Sequence, residues 1–250
     1  MTADGPGFEY RHNAEHHEAQ ARLAQLDAYY AWTLDLFGET FAAPAADAGA
    51  GAGHFAALLA ERVRPLLLLE GGVANLEALR ARFGAEPDIA VADCDLADCG
   101  GVLRAHGVRS IFTLDVLEHL PDDVATLRQF HAALPAGGML YIKVPALPWL
   151  YGPVDEASGH YRRYTRASLR RAVEAAGFSV QRCRYMNLAG VAPYFLKSRI
   201  LRRGENFSRT FSAAQLERIR RVMPLLRRLD RWLGPPLGLS VTCIARKDGP

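Results

Sequence analysis

The run Asp47-Ala-Gly-Ala-Gly-Ala-Gly53 decides how the rest of the chain is read. It sits between a short apolar stretch, Ala45–Ala48, and a helical one, Gly53–Val63. Glycines let a backbone turn sharply and approach a ligand closely, because no Cβ intervenes. Their spacing separates the ligands. A dinucleotide-binding turn has the pattern GxGxxG, which seats a pyrophosphate on a helix N-terminus. Here the pattern is GxGxG, and the last glycine of the dinucleotide pattern would fall on His54. Asp47 at the entrance is a poor neighbour for a pyrophosphate and a good one for the amino group of a zwitterionic ligand. Asp47, Gly49, Ala50, Gly51 and Gly53 are therefore expected to cradle such a ligand rather than NAD.

Outward from the loop, strand-like and helix-like segments alternate. Pro65–Leu69, Ile89–Val91, Ser110–Leu114 and Met139–Val144 read as strands; Ala74–Phe83, a poor segment at 99–106, and Asp122–Ala133 read as helices. Short connections between them argue βαβ units and a parallel sheet covered on both faces. Glu70 ends the second strand, 21 residues after Gly49. A carboxylate there can accept both hydrogen bonds of a ribose diol. At the end of the third strand, Asp93 is placed to accept from an adenine amine and the Cys94 N–H to meet a ring nitrogen. Each of these acids, taken alone, reads equally as a solvated strand end.

The flanks differ from this core. Residues 9–38 carry Leu23, Leu26, Tyr30, Leu34 and Phe37 at helical spacing. Residues 145–164 are rich in Pro, Gly and aromatics. A helix at Thr165–Ala176 stops at Gly177, and Phe178–Tyr185 and Ser240–Arg246 read as two late strands. Between them, a helix over about 213–233 sets Leu216, Ile219, Met223, Leu226, Leu229 and Leu233 on one stripe, kinked at Pro224.

Of the 250 residues, 50% are hydrophobic and 23% charged, enough for a sizeable core. No apolar run reaches the ~20 residues of a membrane span, and Met1–Tyr10 lacks the pattern of a signal peptide. Cys94, Cys99, Cys183 and Cys243 show no CxxC pair, so scattered reduced thiols and a cytoplasmic location are expected. Charge is split: residues 1–159 carry −12 and residues 160–250 carry +15. The basic part faces either an anionic partner or the acidic part of the chain itself. Its few aromatics, and the lack of an Asn/Asp-Pro-Pro-Tyr motif after the fourth strand, argue against nucleic acid. The wide apolar face of the basic helix favours docking on the domain, or across a homodimer, over peripheral membrane contact.

The segments Asp47–Gly53, Glu70, Asp93–Cys94, Asp115-Val-Leu-Glu-His-Leu-Pro-Asp-Asp123 and Leu134-Pro-Ala-Gly-Gly138 occur in order and together resemble the class I S-adenosylmethionine-dependent methyltransferases. Val144-Pro-Ala146, Leu150–Asp155, Gly159-His-Tyr-Arg-Arg-Tyr-Thr165 and Pro236–Lys247 resemble one bacterial subgroup, whose members often lie beside or are fused to glycosyltransferases. The resemblance covers almost the whole chain. It implies an α/β, Rossmann-like fold: seven strands, six parallel and one antiparallel, with helices on both faces. It also implies an N-terminal helical lid (1–40) on a methyltransferase domain (41–250), a C-terminal helical insertion and an acceptor-binding region over 145–240. The implied cofactor is S-adenosylmethionine, with Asp115 joining the residues above around it. Two departures stand out. The first strand lacks branched aliphatics, and Gly71-Gly72 follows the ribose-binding acid.

Methyl transfer to an alcohol needs a base of suitable pKa. His160 is the first candidate, with Asp155 to orient it; the alternative is that His160 and Tyr161 pack the loop onto the sheet. His119 is the second candidate, and it and Glu118 also read as a cofactor shell or a helix start. Arg162, Arg163 and Arg166 suit an acidic acceptor or the acidic half of the domain. Tyr29, Tyr30 and Trp32 suit a lid or the core, and Tyr29, Trp32, Tyr161 and Arg163 are the candidate acceptor contacts. His12, His16 and His17 have metal-ligand spacing without accompanying carboxylates, so no metal is expected. The function expected is O-methylation of a small-molecule acceptor: a sugar, glycolipid precursor or secondary metabolite. The alternatives are N- or C-methylation and a non-catalytic cofactor-binding scaffold.

Overall fold

The computed structural model describes residues 27–200 and 221–249, apart from 229, 231 and 233. The first part of the helix expected over 9–38, with His12, His16 and His17, lies outside these residues, as do Leu216, Ile219, Leu229 and Leu233 of the helix expected over 213–233. The described elements run α1 (Asp27–Phe37), β1 (Ala45–Ala48), α2 (His54–Ala60), β2 (Leu66–Glu70), α3 (Val73–Phe83), β3 (Ile89–Asp93) and α4 (Gly100–Ala105). They continue with β4 (Ser110–Leu114), α5 (Asp123–Ala133), β5 (Met139–Pro145), α6 (Pro153–Ala157), α7 (Arg166–Ala175), β6 (Ser179–Met186), α8 (Val191–Phe195) and β7 (Ser240–Arg246).

The seven strands form one sheet in the order β3-β2-β1-β4-β5-β7-β6. Strands β1 to β5 pair in parallel, and β7 runs antiparallel between β5 and β6. Six strands therefore share one direction, the Rossmann-like arrangement that the alternating pattern predicts. Strand order reverses between β1 and β4, and in such sheets ligands bind at the carboxyl ends of the strands flanking that reversal.

β2 is Leu66-Leu-Leu-Leu69, buried throughout, as a parallel strand covered on both faces requires. β1 is central yet made of Ala-Ala-Asp-Ala, also buried throughout. Its small side chains leave room for neighbouring aromatics. Phe112 of β4 stacks on Tyr141 of β5 with ring centroids 4.5 Å apart, and Phe37, Phe41 and Phe55 close around Phe112. Those rings bury the area that branched aliphatics on β1 would otherwise supply.

Helix α7 begins where Thr165 accepts from the Ser168 N–H and Ser168 answers the Thr165 N–H, satisfying two donors that a helix start leaves open. Residues 145–164, which read as irregular, contain a 3₁₀ turn at Pro148–Leu150 and the short helix α6. No helix among the described residues is long and apolar enough to cross a membrane.

On one flank, Trp32 and Leu36 of α1 pack with Met186 and Met223, and Leu226 covers them. Met223 and Leu226 thus turn the helical segment 221–228 toward the domain, while Leu225 is 59% exposed. Arg227 pairs with Asp35 across the same contact. Met223→Ala should cost ~2–5 kcal/mol in urea unfolding, the range for a buried methionine. Leu225→Ala should stay within ~0.5 kcal/mol. Equal losses in the two variants would mean that this segment does not dock as described.

Candidate active site

The glycine loop leaves β1 at the point of strand-order reversal. Gly49 (φ 83°) and Gly53 (φ 81°) take left-handed backbone conformations. A Cβ on Gly49 would lie 2.5 Å from Val116 Cγ2, and one on Gly53 would lie 2.7 Å from the Phe83 ring, so glycine is required at both. The loop is held from β2. Glu70 Oε2 accepts from the Gly51 N–H at 2.8 Å, and Oε1 accepts from Gly71 at 3.0 Å and Gly72 at 2.7 Å. Gly71-Gly72 therefore turns back onto the acid that precedes it. A ribose diol would have to share these oxygens with three backbone donors, which is more crowded than the two-oxygen acceptor read from sequence.

Asp47 is 2% exposed, and its Oδ2 has no hydrogen-bond partner among the described residues. Burial, with the Glu70 charge adding to it, pushes its carboxyl up to about 8. An incoming ammonium group would supply both the missing partner and the missing countercharge.

The structure uses the Cys94 N–H differently from the sequence reading. It donates to the Glu70 carbonyl at 3.0 Å, extending the β2–β3 ladder, and so is not presented to a ligand. Asp93 is exposed at the end of β3.

At the end of β4, Asp115 has φ 54°, a conformation uncommon for a residue with a side chain. Its carboxylate pairs with Lys143 Nζ, and its N–H donates to the Lys143 carbonyl at 2.8 Å. Lys143 is 3% exposed, a cation inside an apolar strand, with its ammonium 4.8 Å from the centre of the Tyr29 ring. Burial pulls its pKa down, but Asp115 and the two tyrosines raise it further, and the net shift is upward. Tyr30 is pushed up to about 12, by burial first; it also feels the charges of Lys143, Asp115 and Asp47. Sequence reading missed Lys143, although a lysine amid Met139–Val144 was a visible signal.

The candidate base lies in a second cluster. Asp155 is fully buried and accepts from His160 Nδ1 (2.9 Å), Arg163 Nε (2.7 Å), Tyr194 Oη (3.1 Å) and the Gly152 N–H (3.1 Å). Burial pushes its carboxyl up, but His160 and Arg163 outweigh that and hold it below the usual range. The His160 ring meets His119 edge to face at 4.6 Å. Glu118 is fully buried beside them, and one donor atom from each of Glu118, His119 and His160 lies within 4.8 Å of the others. Burial, then the Asp115 charge, pushes Glu118 well above the ordinary carboxyl range.

The remaining candidates divide by position. Trp32 is fully buried between Leu36, Met186 and Met223, so it belongs to the core and offers no surface to an acceptor. Arg163 donates to Asp155 and to the Ala146 carbonyl under the Tyr194 ring, which leaves it inside the loop's own framework rather than as an acceptor clamp. Tyr29 Oη meets Ser240 Oγ at 2.9 Å. Tyr161 is 49% exposed, and its N–H donates to the Glu118 carbonyl at 2.7 Å. Arg162 pairs with Asp123 of the acidic half.

A family model described as a methyltransferase domain matches residues 45–182, from β1 into β6. The chain belongs to this family. Solved structures share the methyltransferase's fold at low identity. One is from the complex between the Haloferax volcanii Trm112 methyltransferase activator and a methyltransferase, at 14% identity, covering 95% of this chain and 96% of that one, with a TM-score of 0.60. An S-adenosylmethionine-dependent methyltransferase from Mesorhizobium loti is 16% identical, with coverages of 88% and 97% and a TM-score of 0.59. The Haemonchus contortus phosphoethanolamine N-methyltransferase 2, solved with S-adenosyl-L-methionine, is 15% identical, with coverages of 98% and 61% and a TM-score of 0.60. Comparison with curated proteins returns no match.

Glu70→Ala removes the acceptor of three buried or half-buried backbone N–H groups at once. It should destabilise the protein by at least ~1–3 kcal/mol in chemical denaturation. Glu70→Gln, which keeps the shape and part of the acceptor capacity, should lose less. An alanine variant as stable as the parent would show that the loop is held by something else.

Proposed function

We propose that this methyltransferase transfers the methyl group of S-adenosylmethionine to a hydroxyl oxygen of a small-molecule acceptor. The acceptor class is a sugar, glycolipid precursor or secondary metabolite, held by residues 145–240. The observation that carries the reading is the Asp155–His160 pair, set next to Glu118 and His119 beyond the end of β4. An alcohol must lose a proton to become a nucleophile, and a positioned imidazole is suited to take it. An amine acceptor would make a smaller demand on such a pair.

S-adenosylmethionine is the cofactor, and when bound it supplies an electrophilic methyl group on a sulfonium. The unpartnered oxygen of Asp47 receives its ammonium group, and the Gly49–Gly53 backbone allows the close approach. Glu70, already fixing the loop, shares its carboxylate with the ribose, and Asp93 lies on the adenine side. Helix α1, the described part of the lid, brings Tyr30 within electrostatic reach of Asp47, Asp115 and Lys143. With Asp155 holding Nδ1, His160 presents Nε2 to the acceptor hydroxyl. His160 would accept the hydroxyl proton and pass it to water, while the bound cofactor would supply the methyl group and keep the C–S bonding pair on its sulfur. The gain comes mainly from holding oxygen, carbon and sulfur in line.

Two measurements test this. The Asp47 carboxyl, neutral below about 8 without cofactor, ionises against the ammonium group. Cofactor affinity should therefore rise with pH up to about 8 and then level off, with proton release on binding at pH 7. Calorimetry in buffers of different ionisation enthalpy reads that release, which Asp47→Asn should abolish; binding without proton release would reject the assignment. Separately, His160→Ala should lower kcat by ~10²–10⁴ while leaving cofactor affinity nearly unchanged. Unaltered turnover in that variant would reassign His160 to packing.

A further inference from the structure

Glu118 is the least satisfied group in the described structure. Its side chain is fully buried, and neither carboxylate oxygen has a hydrogen-bond partner among the described residues. A buried carboxyl group left in that condition costs stability unless something binds it. The neighbours that face it are imidazoles, His119 and His160. The two cations nearest in charge, Lys143 and Arg163, are already matched to carboxylates of their own, Asp115 and Asp155. Neither of them forms an ion pair with Glu118, so no side-chain cation among the described residues is bonded to its oxygens.

Two imidazoles and one carboxylate form a donor set for a divalent transition ion. Three protein ligands with remaining positions open are the arrangement of catalytic rather than structural metal centres. The support behind the ligands matches as well. His160 Nδ1 is engaged by Asp155, which orients the ring and leaves Nε2 to bind, and a histidine ligand backed by a carboxylate is the usual second layer of such a centre. Donors on a bound ion lie on the order of 3.3 Å apart, given metal–nitrogen bonds of ~2.0–2.1 Å. The observed limit of 4.8 Å would close by small side-chain rotations.

We propose that Glu118, His119 and His160 bind one divalent cation of the Mn²⁺, Fe²⁺, Co²⁺ or Zn²⁺ class, and that the open positions take the acceptor's hydroxyl oxygen. This rests on the reading of the cluster as the acceptor site and refines how the oxygen is activated there. A coordinated hydroxyl is more acidic, so with the cation in place its proton passes to solvent water and His160 serves as ligand instead of base. The alkoxide then attacks the methyl carbon, and the C–S bonding pair stays on sulfur as before. A diol or catechol-like pair of oxygens would fill two positions and bind most tightly.

The test uses the full chain, stripped with chelator, dialysed and titrated with MnCl₂ and ZnCl₂ by calorimetry, with electron paramagnetic resonance reading free Mn²⁺. One equivalent should bind at micromolar concentrations. Glu118→Gln, His119→Ala and His160→Ala should each weaken binding by at least ~10-fold, as loss of a ligand does. Thermal melts check that each variant is folded. A variant with His12, His16 and His17 all changed to alanine should still bind one equivalent, which separates this centre from the N-terminal histidines. No saturable binding up to millimolar metal, or binding that survives both Glu118→Gln and His160→Ala, overturns the proposal. If chelated enzyme methylates its acceptor and loses turnover only on His160→Ala, O-methylation stands and the cation falls. If the cation binds at these residues and the acceptor oxygen is never methylated, the reverse holds.

Discussion

The Glu70 carboxylate accepting three backbone N–H groups is the interaction on which the rest of the site depends. It ties the glycine loop after β1 to the turn after β2, and the Cys94 N–H on the Glu70 carbonyl extends the same anchor to β3. Three strand ends are thus registered by one residue that is 1% exposed. A charged acceptor with several amide donors is worth more than a neutral pair, and its burial limits competition from water. Its cost appears next door. Asp47 cannot easily carry a second negative charge so close, and its carboxyl rises to about 8.

Asp155 does for the acceptor side what Glu70 does for the cofactor side. Four donors converge on it from Gly152 just ahead of α6, the loop after α6, and α8. Both carboxylates are satisfied internally, and both fix loops that would otherwise be irregular. Asp47 and Glu118 are the opposite kind: buried, with unpartnered oxygens, each beside one of the anchored acids or its histidine. The folded chain therefore separates carboxylates that hold the frame from buried carboxyl groups left without a hydrogen-bond partner among the described residues, the kind a ligand would satisfy. Stability given up at the second pair is recovered on binding, as sites under functional constraint are expected to behave.

Much of this was legible in the sequence, for identifiable reasons. The GxGxG spacing, Glu70 at a strand end and the alternation through Val144 depend on local geometry, and the parallel sheet followed from them. β1 reads as only a weak, short strand, being poor in branched aliphatics. It is one because Leu66–Leu69 pairs with it on one side and Ser110–Phe112 on the other, a tertiary cause that propensity does not contain. Trp32 read as a lid candidate because helical spacing cannot say which face meets the core, and Met186 and Met223 decide that from far along the chain. Arg163 read equally as a clamp or as a partner of the acidic half, and the sequence alone does not say that Asp155 is the partner that buries it. The Glu118–His119–His160 grouping was least visible of all. Its members lie up to 42 residues apart and meet only because the Tyr161 N–H returns to the Glu118 carbonyl.

The two halves of the site are not electrically independent. Tyr30 feels Asp47, Asp115 and Lys143, and Glu118 feels Asp115 and Lys143. Lys143 therefore acts electrostatically on both Tyr30 and Glu118, and Asp115, held in a left-handed conformation, keeps its ammonium in place. The sign of the coupling follows. Without ligand, Asp47 holds a proton that the unfolded chain has lost, so its share of stability declines as pH rises from about 4 toward about 8. An ammonium group at Asp47 removes that proton and places a new ion pair within reach of Tyr30. The added positive charge would offset the added carboxylate, and neither Lys143 nor Glu118 takes part of its shift from Asp47. A zwitterion can thus enter beside Asp47 without shifting the charge balance at the histidine cluster, whereas a bare anion there would oppose both Glu70 and Asp47.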